Sequence, residues 1–101
     1  MTFDLAAALH RKEEYETSRL VDFAFRVRAR ATRALAGELG LDMHVATALL
    51  VRHDEAGVCA ALAAQTGRAL DEVTASYRLH HAAAARALVV ERGDPSPHRL
   101  A

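Results

Sequence analysis

Between residues 20 and 38 the apolar positions recur at helical spacing. Leu20, Phe23, Ala24, Val27, Ala31, Ala34 and Leu35 fall on one stripe, Val21 and Phe25 widen it on one side, and Glu38 interrupts it at the end. The first 36 residues contain neither Pro nor Gly. Thr2 or Asp4 is a suitable cap at the start, and Gly40 reads as the stop. The pattern therefore predicts one long helix from Phe3 to Leu39. Gly37 falls near its end, where a close helix crossing would justify a residue that costs about 1 kcal/mol against Ala.

Three shorter helices follow. Asp42 is a good N-cap for a helix from Met43 to about Arg52, with Val45, Leu49 and Ala48 as its inner positions. His53-Asp54 opens the next, Glu55 to about Thr66, ended by Gly67, with Val58, Ala61, Leu62 and Gln65 inward. Asp71 is the expected cap of the last, Glu72 to about Arg92, ended by Gly93. Its stripe is Val73, Tyr77, His80 or His81, Ala84 and Leu88. β-branched residues never alternate with polar ones, so strands have little support.

The long helix is too long for its own domain. At 1.5 Å per residue, Phe3 to Leu39 spans about 55 Å, whereas a compact chain of this length has a diameter near about 35 Å. The opening residues must overhang, fold back or stay disordered. The pattern weakens at the same place: before Leu20 the apolar positions thin to Leu5, Ala8 and Leu9, among the charges of Arg11, Lys12, Glu13, Glu14 and Glu16. The expectation is an all-α, small four-helix bundle with a long first helix and a projecting or loosely docked N-terminal arm. The arm covers residues 1–18, the bundle 19–93, and a polar, Pro-containing, disordered tail 94–101.

Composition sharpens this picture in two ways. Twenty-three residues are Ala, the best helix former and a poor filler of volume, which predicts a thin core with closely approaching helices. Thirteen basic residues balance 13 acidic ones, which argues against a dedicated nucleic-acid binder. Cys59 is alone, so no intrachain disulfide is available and a reducing cytoplasm is expected. No apolar run approaches the roughly 20 residues of a membrane span, so no membrane insertion is expected.

Candidate chemistry is sparse. Arg19, Arg26, Arg30 and Arg33 share one face of the long helix beside Asp22, while Arg28 points elsewhere. Such a face either holds phosphates through the guanidinium forks or is simply solvated and paired with neighbouring carboxylates. Without interleaved aromatic residues it does not suit nucleic acid. His80 and His81 are adjacent and diverge on a helix, and neither HxxxH nor CxxC occurs, so no metal is expected. The acidic pairs Asp54-Glu55 and Asp71-Glu72 are accounted for by helix starts, and Cys59 by burial among Ala residues. No catalytic group is expected, and the chain reads as a non-enzyme.

The order of these segments resembles a known family. MTFD, a charged segment, an Arg-rich helix ending in ELGL, the acidic turn HDEAGV and a last helix opening LDEV are similar to the zeta subunits of α-proteobacteria. These are four-helix inhibitors of the proton-translocating ATP synthase. The likeness covers Met1 to about Val90. The chain departs from the family in reading RARATRALAGELG without the Arg-Arg-Asn run and Trp expected there, and in the composition of its last helix, HHAAAARAL. The resemblance implies that the arm enters a catalytic interface of the synthase head and blocks ATP hydrolysis, with the bundle as anchor. Phe3, Leu5, Leu9 and Tyr15 would then be apolar contacts, and Arg11, Lys12, Glu13 and Glu14 the rim. It also implies adenine nucleotide on Arg19, Arg26, Arg30 and Arg33, and a location in the cytoplasm, at the inner membrane through the synthase. The alternative is a helical protein- or nucleotide-binding module with an Arg-rich face.

Overall fold

A computed structural model describes residues 4–93. The helices are α1 (Leu5–Glu38), α2 (Met43–Arg52), α3 (Glu55–Thr66) and α4 (Leu70–Arg92), with no strand among the described residues. The start of α1 is fixed by the Asp4 side chain, which accepts a hydrogen bond from the Ala7 N–H. Its end is a Schellman motif: the Leu41 N–H reaches the Ala36 carbonyl, the Gly40 N–H reaches the Gly37 carbonyl, and Gly40 takes φ +75°. Leu41 then folds back onto the core. Asp42 and Asp54 cap α2 and α3 through the N–H groups of His44 and Gly57. Gly67 closes α3 in the left-handed conformation.

The start of α4 differs from expectation. The helix begins at Leu70, and its N-cap, Ala69, contributes no side-chain hydrogen bond. Asp71 and Glu72 lie inside the first turn, where their charges stabilise the helix through its dipole rather than as caps.

Ion pairs give the topology. Asp22 lies beside Arg92, Arg30 beside Glu91 and Glu38 beside His80, so α4 runs antiparallel to α1. These two helices form the most extensive packing in the molecule; α2 flanks α1 and α3 flanks α4. The core has two parts. Ala31, Leu35, Leu49, Val58, Cys59, Leu62, Val73 and Tyr77 form the larger. Val27, Ala84 and Leu88 form a smaller one, flanked by Phe23 and Ala85.

The stripe expected on α1 is correct at its centre and wrong at its edges. Val27, Ala31 and Leu35 are buried, but Leu20, Ala24, Ala34 and Glu38 are exposed. Ala29, Thr32 and Ala36 are buried instead, because α1 is covered from two sides, by α4 and α2, and hides a wider arc than one stripe. On α2, Ala46 and Leu50 replace the exposed Ala48; on α3, Gln65 is exposed.

The described residues measure 63 × 26 × 21 Å, with a radius of gyration of 17.5 Å. A compact chain of this size would have about 13 Å. The excess comes from α1, whose 34 residues span about 51 Å. Among the described residues no side chain before Val27 is buried, and Phe23 is half-buried. Of the three forms open to the first residues, the helix takes the overhang. The terminal tail, 94–101, and Phe3 lie outside the described residues. Among the described residues, no helix is long and apolar enough to cross a membrane.

Gly37 has no crossing partner: a Cβ there would meet nothing within 4 Å. The expected close contact is absent, and the glycine only loosens the last turn. Gly37→Ala will raise stability by about 0.5–1 kcal/mol, read from the midpoint of urea unfolding. A lower midpoint would contradict this geometry.

Candidate functional site

The arm is a helix that supports itself. Arg11, Lys12, Glu13 and Glu14 are exposed. Lys12 lies 3.9 Å from Glu16, and His10 Nε2 lies 3.0 Å from Glu14, each one turn apart. Arg19 sits over the Tyr15 ring at 6.0 Å. Such pairs contribute a few tenths of a kcal/mol each, and none ties the arm to the bundle. The apolar side chains here are left in water: Leu5 is 61% exposed, Leu9 51% and Tyr15 64%. A second apolar ledge follows at Val21 and Phe25, where α1 begins to meet the bundle.

The four arginines of the outer face are brought together. Two adjoining clefts between α1 and the end of α4, of about 370 and 350 Å³, hold Arg19, Arg26, Arg30 and Arg33. They also hold Arg92, which the sequence reading passed over. Its signal was the antiparallel return of α4, visible only once the helices are paired. The pairing with neighbouring carboxylates expected of this face is present. Arg30 grips Glu91 with both nitrogens, at 2.9 and 3.1 Å. That bond holds the Glu91 carboxyl below its usual range and raises the guanidinium of Arg30. Arg26 Nε donates to Asp22 at 2.8 Å, and Arg92 lies 4.0 Å from the same carboxylate. Five guanidinium groups thus share two carboxylates. Among the described residues, no carboxylate pairs with Arg19 or Arg33. The surplus is positive and faces solvent.

Arg28 does point elsewhere: it turns inward and donates to the His53 carbonyl at 2.9 Å, tying α1 to the end of α2. Among the described residues, its Nε and the Tyr77 hydroxyl are buried without a hydrogen-bond partner, as is Thr32 Oγ1. The two histidines of α4 serve different helices. His80 Nε2 meets Glu38 of α1 at 2.7 Å, and His81 Nε2 lies 3.5 Å from Glu55 of α3.

A third cavity, of about 460 Å³, opens between α3 and α4. Glu55, Cys59, Thr74, Tyr77, Arg78 and His81 meet there, although they are scattered over 27 positions of sequence. The reading of isolated segments separated Cys59 from any histidine. Packing α3 on α4 supplies one. Cys59 nonetheless remains a buried thiol, 4% exposed, and burial pushes its pKa up, away from the thiolate. Tyr77 is likewise shifted upward by burial. Neither has the character of a nucleophile or an acid poised near neutral pH. No family model matches the chain, and no curated protein or solved structure matches it.

Proposed function

We propose that this chain is a regulatory, non-catalytic protein that obstructs a partner with its N-terminal arm, and that the partner is the catalytic head of a proton-translocating ATP synthase. One observation carries the reading: α1 continues beyond the bundle as a helix with Leu5, Leu9 and Tyr15 unburied. A charged helix holding three large apolar side chains in water is suited to a groove on another protein. Arg11, Lys12, Glu13 and Glu14 then lie at the rim of that groove. The choice of partner rests on the resemblance to the zeta subunits.

Removing residues 1–16 will abolish inhibition of ATP hydrolysis by the synthase head while leaving the melting temperature of the bundle unchanged within about 2 °C, because none of the described residues 4–16 is buried. Equal inhibition by the full and shortened chains would overturn the mechanism. No inhibition by the full chain would overturn the choice of partner.

A second reading has its own support in the guanidinium groups of Arg19 and Arg33, with which no carboxylate pairs among the described residues. On this reading the outer face holds the phosphates of a nucleotide. Titration with ATP would then shift the amide signals of Arg26, Arg30 and Arg33 and spare those of the arm.

A further inference from the structure

We propose that the cavity between α3 and α4 is a binding site for a small amphipathic carboxylate, held by Arg78 at its head and by apolar side chains along its body. The site follows from the sequence of the two helices. Where α3 and α4 face each other, short residues stand at Ala56 and Ala82, so the helices pack without filling the space between them. Leu70, half-exposed at the start of α4, forms one wall, and Cys59 and Tyr77 close the interior side. The volume, about 460 Å³, falls within the range of small-molecule sites, roughly 300–1,000 Å³.

The polar groups determine the class of ligand. Arg78 borders the cavity, and among the described residues no carboxylate pairs with it. The nearby acid, Glu55, is turned to His81 at 3.5 Å. An unpaired guanidinium beside an apolar wall is complementary to a carboxylate that carries a hydrocarbon or aryl body. Thr74 lines the cavity as well and supplies a second polar contact near the same wall. A cation would meet Arg78 unfavourably. A fully polar anion would leave the walls of Ala56, Leu70 and Ala82 in contact with water. This site uses no residue of α1 and is independent of the role proposed for the arm.

Octanoate and octan-1-ol, which share a chain length and differ in charge, test this directly on the full chain. Octanoate is expected to shift the amide signals of Glu55, Cys59, Thr74, Arg78 and His81, saturating at roughly millimolar concentration. Octan-1-ol should bind about tenfold more weakly, and Arg78→Gln should weaken octanoate by a similar factor, since a charge-assisted bond is lost. Arg78 is exposed, so this variant folds. Ala56→Leu, also at an exposed position, narrows the cavity and is expected to weaken the shifts. Equal affinity for the alcohol and the acid would overturn the assignment of the head group. Shifts confined to the arginines of α1, or none up to about 10 mM, would overturn the site.

Discussion

Replacing Leu35 with Ala will cost the folded chain about 3 kcal/mol, while Leu9→Ala will change its stability by less than about 0.5 kcal/mol. The two residues share one helix and differ in what surrounds them. Leu35 is 0% exposed, in the larger core cluster. Truncation there loses the transfer energy of the side chain and leaves a hole, which together cost about 2–5 kcal/mol. That is a large part of the 5–15 kcal/mol that small domains possess. Leu9 is half in water, and both residues are good helix formers, so little is lost. Urea unfolding followed by circular dichroism measures both. Similar losses at the two positions would mean that the arm packs on the bundle, and would remove the basis of its proposed role.

The division between those residues was legible in the chain itself, since the periodic stripe fades before Leu20. So were α2 and α3. Asp42, Asp54 and Gly67 are local signals, and each acts within three residues of the boundary it sets. What the pattern could not supply depends on neighbours. Leu20 and Ala24 continue the stripe on paper, but they are exposed, and α4, the helix paired with this part of α1, ends at Arg92. Ala29 and Thr32 fall off the stripe and are buried because a second helix reaches them. Asp71 is a strong cap type, yet the helix starts before it. The cavity between α3 and α4 was invisible for the same reason. Its residues come from two helices, and those on α3 were accounted for one at a time as a helix start and a small buried hydrophobe. The outer arginine face was recovered except for Arg92, which comes from the other helix of the pair.

Ala31→Leu will lower the melting temperature by roughly 10 °C, equivalent to about 2 kcal/mol in a domain of this size. The richness in Ala forecast a thin core, and Ala31 is where that forecast is tested. It is 0% exposed and touches the same cluster as Leu35, Leu49 and Leu62. Three further carbons have no space unless α1 moves away from its neighbours, and a packed interior resists that. Ala34→Leu, three residues on at an exposed position, should leave the melting temperature unchanged within about 2 °C. If Ala31→Leu proved neutral, the helices would have to be spaced more loosely than the buried surfaces indicate.

The continuity of α1 has a mechanical consequence. Between Leu5 and Ala36 it contains no Pro and no Gly, so it has no hinge between the end that a partner would grasp and the end embedded among α2, α3 and α4. It behaves as a lever. A partner that fixes the direction of residues 5–15 also fixes the heading of the whole bundle, and a push on the tip is felt at Val27 and Ala31. Inserting a flexible Gly-Gly pair near Ser18 would keep every contact surface and uncouple the two ends.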